Sequence, residues 1–84
     1  MTFLSIIWDL PDDPDGNVRH IADHDVSQEE VEEVLRNPEG IERSRSSAWP
    51  IAFGETAAGR IIAVVHERIG TDAVYPITAY EVEP

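Results

Sequence analysis

The strongest constraint on the fold of this 84-residue chain is the brevity of the connections in its second half. After Gly40 the sequence breaks into short β-type runs, Ile41 to Arg45, Trp49 to Glu55, Arg60 to Arg68 and Ala73 to Glu81. Only Ser-rich, Thr-Ala-Ala-Gly and Ile-Gly-Thr-Asp links separate them. A parallel crossover takes about a dozen residues or more, so neighbours joined this closely must run antiparallel. The second half therefore reads as a meander. Pro76 has no N–H for a ladder, which places an edge or a bulge at that point of the last strand.

The first half has a different texture. Phe3 to Trp8 is apolar and β-favouring, stops at Asp9-Leu10-Pro11, and reads as one buried strand. Asp12 to Asn17 is rich in turn formers and N-cap acceptors and leads into a short helix from about Val18 to Asp23, with Val18, Ile21 and Ala22 along one edge. The next helix is better marked. Ser27 and Glu30 fit a capping box, and Glu29, Glu30, Glu32 and Glu33 load its early turns with negative charge. Val26, Val31, Val34 and Leu35 supply the staple and the buried stripe, Arg36 sits in the last turn, and Asn37-Pro38-Glu39-Gly40 ends it. The expected fold is α+β, a single domain over residues 1–84: an N-terminal strand, two short helices, then an antiparallel β-meander against which both helices pack. Trp8 and Trp49 read as core aromatics.

Composition narrows the function classes. The chain carries 17 Asp and Glu against 6 basic residues, all Arg, for a formal net charge of -11. Phosphate-backbone binders draw most of their affinity from positive patches, so non-specific nucleic-acid binding is disfavoured. The absence of Cys excludes thiolate nucleophiles and Cys-ligated metal sites. No run reaches the roughly 20 apolar residues of a membrane span, and the N-terminus lacks a basic n-region. The expectation is a soluble, cytoplasmic protein with no membrane partner.

Trp8, Asp9, Asn17, His24, Val26, Ser27, Glu29, Glu30, Asn37 and Pro38, followed by Phe53-Gly54, Gly59-Arg60 and Ile77-Thr78-Ala79, carry a resemblance over most of the chain. The pattern resembles the BrnT-type toxins of type II toxin–antitoxin pairs, which belong to the wider RelE-like group of ribonuclease toxins. The resemblance implies a RelE-like fold, metal-independent RNA cleavage, and a cognate antitoxin as partner. The chain departs from the family where a helix-start Lys becomes Asp23, a Gly becomes Asp25, a late-strand Arg becomes Tyr80, and the basic tail is missing.

Such chemistry needs basic side chains around a scissile phosphate with an acid or base beside them. Period-two alternation places Arg60, Ile62, Val64, His66 and Arg68 on one face of their strand. Tyr80, on the neighbouring strand, joins them as a phenol donor if it leans to that face. Arg60, His66, Arg68 and Tyr80 are thus the candidate catalytic residues, with His24, Arg43 and Arg45 as candidate binding residues. The competing interpretation is structural: Arg60 and Arg68 meet solvent at strand ends, and His66 is a half-exposed sheet residue. His20 and His24 have i, i+4 spacing but no Glu at position 21 and no fixed third ligand, so neither a metal nor a cofactor is expected. The acidic loop lacks calcium-loop spacing, and the acidic helix reads as a solvated face. A second function class stays open, a non-catalytic interaction or regulatory module of the same fold, favoured by the charge of -11. RNA, an antitoxin and a second copy of the chain in a homo-oligomer are the candidate partners.

Overall fold

The computed structural model describes residues 5–43 and 49–82. Its elements run β1 (Ser5–Ile6), α1 (Asn17–Asp23), α2 (Gln28–Arg36), β2 (Gly40–Arg43), β3 (Pro50–Glu55), β4 (Ile61–Ile69) and β5 (Ala73–Glu81). They form one five-stranded sheet in the order β1-β5-β4-β3-β2, in which β2 to β5 are the antiparallel meander and β1 lies parallel to the start of β5. The α+β architecture follows from the two textures of the sequence.

Both helices cover one face of the sheet. Ile21, Val26, Val31, Val34 and Leu35 pack on Ala52, Ile62, Val64, Val74 and Ala79, with Ile6 and Trp8 against their margin. α2 approaches β3 closely enough that a Cβ on Gly54 would sit 3.4 Å from the Val34 methyls. The capping box is formed: Glu30 N–H donates to Ser27 Oγ (3.1 Å) and Ser27 N–H donates to Glu30 Oε1 (3.0 Å).

Three expectations need correction. The described part of β1 is an edge rather than a buried strand: Ser5 and Ile7 are exposed, and only Ser5 and Ile6 pair with β5. Trp49 is 41% exposed just ahead of β3 and belongs to no core cluster, whereas Trp8 does pack against the core and donates Nε1–H to Glu32 Oε2 (2.9 Å). The acidic helix is also more than a solvated face. Beyond Glu30 and Glu32, Glu33 Oε2 accepts the Ala57 N–H (2.6 Å) in the β3–β4 turn. Glu39, just past the helix, accepts from Glu55 N (2.7 Å). These carboxylates tie the helix to the sheet.

The α1–α2 connection turns through Asp25 at φ 62°, in the left-handed region where Asp and Asn are the best tolerated residues after Gly. The chain thus adopts here a backbone conformation that a Gly would favour. Asp25 uses its carbonyl as well, accepting a hydrogen bond from Arg60 (3.0 Å).

Candidate functional site

The expected cluster divides into three places. Arg60 sits at the entrance to β4 and is held by acids: Nη1–H donates to Glu30 Oε1 and Oε2 (2.9 and 2.7 Å), and Nη2–H to Glu81 Oε1 (3.2 Å). Desolvation would lower its pKa, but the two carboxylates more than reverse this and raise it. A guanidinium already paired with two carboxylates is a structural cross-link between α2 and the ends of β4 and β5. It is not placed as a phosphate clamp.

Tyr80 is on the opposite face. Up to His66, which pairs with Pro76, the β4–β5 ladder is regular. Ile77 then has no partner, and the pairing resumes at Val65 with Thr78 and Ala63 with Tyr80. Continued without this bulge, the ladder would bring Tyr80 opposite Ile62, on the face of Arg60. A one-residue insertion moves every later side chain to the other side, so Tyr80 does not converge with Arg60 and His66.

His66 and Arg68 remain together. They point to the helix-covered face from alternate positions of β4, about 7 Å apart at Cα for extended backbone. His66 is 5% exposed rather than half-exposed, and its Nδ1 lies 3.1 Å from the carbonyl of Val64. A carbonyl oxygen only accepts, so Nδ1 carries the hydrogen, and Nε2 is the nitrogen that holds the lone pair in the uncharged form of the ring. Arg68 is exposed and donates from Nη2 to Thr71 O (3.1 Å), one of its five N–H donors. Arg60, immediately before β4 and eight residues from Arg68, is about 26 Å away along extended backbone.

Arg43 ends β2 opposite Pro50, and Pro50 is the next residue along from the Ile51–Val65 pair. This puts Arg43 in the cross-strand row of His66, on the same face, about 10 Å away by strand spacing. α2 anchors at the other end of the sheet, around Gly54, Ala57 and Arg60, so His66, Arg68 and Arg43 share the end nearer the β2–β3 and β4–β5 connections. Arg45 lies outside the described residues. His24 is exposed at the C-terminus of α1, its ring 5.2 Å from that of His20, on a separate part of the surface. Among the described residues no group of three His, Asp or Glu has metal-binding geometry.

A polar centre that sequence reasoning did not assign lies at the start of α1. Asn17, 2% exposed, donates Nδ2–H to Ile7 O (3.0 Å) and to Pro76 O (2.9 Å), and its Oδ1 accepts from Asp9 N (2.9 Å). Asp9 Oδ2 in turn accepts from Asn17 N (2.9 Å) and from the Tyr75 hydroxyl (2.5 Å). The carboxylate eight residues upstream thus takes the place of the side-chain cap that Gly16 cannot supply. A Cβ on Gly16 would come within 2.8 Å of Asp9 Cβ, so the close approach needs glycine. The sequence signal was the Trp8-Asp9 and Asn17 pair, which carried a family resemblance and proves to carry the joint between β1, α1 and β5.

This centre makes stability depend on pH at both extremes. The Tyr75 hydroxyl, then the Asn17 N–H, hold the Asp9 carboxyl below its usual 3.8, and the bond to Asp9, with burial, raises Tyr75 from 10.0 to about 12. A depressed acid stabilises above its unfolded value, so the Asp9 contribution is complete above pH 3.8 and erodes as pH falls below it. A raised phenol stabilises below its unfolded value, so the Tyr75 contribution is complete below pH 10.0 and is lost as pH climbs towards about 12. Absorbance titration of the folded protein should show a phenolate step near pH 12 that Tyr75→Phe abolishes. Loss of a step near pH 10 instead would contradict the bond.

No protein-family model, curated protein or solved structure matches the chain. Among the described residues, no helix is long and apolar enough to cross a membrane.

Proposed function

We propose that the chain is a BrnT-like toxin component of a type II toxin–antitoxin pair, with RelE-like architecture, and that it cleaves RNA at the His66–Arg68 end of the sheet. The observation that carries this reading is the contact of His66 Nδ1 with Val64 O at 3.1 Å, which orients the ring and makes Nε2 the nitrogen that can accept a proton whenever the imidazole is neutral. Arg68 follows at the next same-face position of β4, its guanidinium donating to Thr71 O at the β4–β5 turn. In the proposed reaction His66 Nε2 takes the proton of a ribose 2′-hydroxyl. The 2′-oxygen then attacks the adjacent phosphorus as the bond to the 5′-oxygen breaks. The leaving oxygen takes a proton from the imidazolium or from water, giving a 2′,3′-cyclic phosphate and a 5′-hydroxyl end. Arg68, with Arg43 in the cross-strand row of His66, supplies positive charge to the phosphate oxygens.

A second reading, a non-catalytic interaction module of the same fold, is favoured by three specific observations. The net charge of -11 opposes approach to a polyanion, Arg60 is already held by Glu30 and Glu81, and His66 is 5% exposed. Inducible expression in a bacterial host, with growth followed and RNA 5′-hydroxyl ends mapped, separates the two. Growth arrest with new ends, both lost in His66→Ala and Arg68→Ala at equal soluble levels, is the expected result. Normal growth with intact RNA at high soluble levels would overturn it in favour of the interaction module.

A further inference from the structure

The face of the sheet turned away from the helices is apolar at its centre and acidic at its margins. The ladder places Phe53, Ala63 and Tyr80 in one cross-strand row and Ile51, Val65 and Thr78 in the next, with Ile61 beside them. Each is the alternate of a residue in the helix-covered core, so these side chains lie on the other side of the strands; Ala63 is fully covered by its neighbours, and Thr78, at the β5 edge, lines a hollow with Asn17 and His20 of α1. Tyr80 is 39% exposed, Ile61 36% and Ile69 41%. Glu42 lies opposite Ile51, Glu55 opposite Ile61 and Glu67 opposite Tyr75, so carboxylates stand at three margins of the patch. Among the described strand residues this face carries no Arg: Arg43 and Arg68 belong to the other side.

We propose that this open face is a docking surface for an amphipathic helix of a partner protein, whose apolar side meets Phe53, Val65 and Tyr80 and whose flanking Lys or Arg residues meet Glu42, Glu55 and Glu67. The charge pattern selects this occupant. A second copy of the chain would bring two such rims together, each on a chain of net charge -11. An RNA strand would find carboxylates and, among the described strand residues of this face, no cation. A basic amphipathic helix buries the partly exposed apolar side chains and neutralises the rim, completing a helix layer on this side as α1 and α2 do on the other. The proposal uses no residue of the His66 site and stands whether or not RNA is cleaved.

The test uses the full chain and two synthetic helical peptides with the same Leu/Ile face, one flanked by Lys and Arg, the other by Glu. The basic peptide should bind, with amide NMR shifts centred on Phe53, Ala63, Val65 and Tyr80. Ile61→Asp and Tyr80→Asp, both at exposed positions, should each weaken binding by about tenfold or more. Reversing the rim with Glu42→Lys and Glu67→Lys should weaken it similarly. The same change of charge on the helix layer, Glu29→Lys with Asp23→Lys, both at exposed positions, should leave it within about twofold if local complementarity decides. Equal binding of the acidic peptide, shifts centred elsewhere, or equal losses from both charge reversals would overturn the proposal. So would a dimer of the unmodified chain that Tyr80→Asp dissociates, since the occupant would then be a second copy.

Discussion

Asn17→Ala is expected to cost about 3 kcal/mol, which for a domain of this size lowers the melting temperature on the order of 15 °C. The side chain makes three hydrogen bonds at 2% exposure, to Ile7 O, Pro76 O and Asp9 N. Alanine removes all three and leaves backbone groups of β5 and of the segment following β1 without their partner, and an unsatisfied buried group costs more than an ordinary hydrogen bond contributes. Asn17→Asp should be no better: it keeps an acceptor for Asp9 N but loses both donors and sets a second carboxylate beside Asp9. Because among the described residues β1 pairs with β5 through Ser5 and Ile6 alone, loosening should begin at this edge, with amide exchange at Ile7 rising before that of Val64. Thermal unfolding checks the first claim. A loss below about 1 kcal/mol would mean that the joint is dispensable.

Two neighbouring isoleucines provide the second large effect. Ile62 is fully buried under the helices, whereas Ile61, on the open face, is 36% exposed. Ile62→Ala should leave a cavity between β4 and the helices and destabilise by about 3–4 kcal/mol, while Ile61→Ala should cost about 1 kcal/mol or less. Denaturant unfolding of the pair reads the orientation of the sheet directly. Similar losses at both positions would contradict the assignment of faces.

That assignment marks where the sequence stops being legible. Alternation separated Arg60, Ile62, Val64, His66 and Arg68 from Ile61, Ala63, Val65, Glu67 and Ile69, but both sets contain branched apolar residues. Nothing local says which set the helices will cover, and so His66 read as half-exposed when it is buried. The bulge at Ile77 was half legible. Pro76 predicts an irregularity, yet whether it is an edge or an inserted residue decides the side of Tyr80, and that depends on register across two strands. Local chemistry was read best. The Ser27–Glu30 capping box, the Asn37-Pro38 stop and the antiparallel meander rest on interactions within a few residues or on connections too short for any alternative. The captures of Arg60 by Glu30 and Glu81, and of Asp9 by Tyr75, span 21 to 66 positions and exist only once the sheet has assembled.

Arg60 and His66 were equivalent candidates by alternation, and the fold gives them different work. The first is paired with carboxylates from α2 and β5; the second has its ring oriented by the Val64 carbonyl and an arginine at the next same-face position of β4. The purified chain incubated with RNA, with 5′-hydroxyl ends mapped, tests this distinction most directly. The account predicts cleavage by the unmodified protein, abolished by His66→Ala and retained by Arg60→Gln in conditions where that variant is folded. Absence of cleavage, or cleavage that survives His66→Ala, would contradict it.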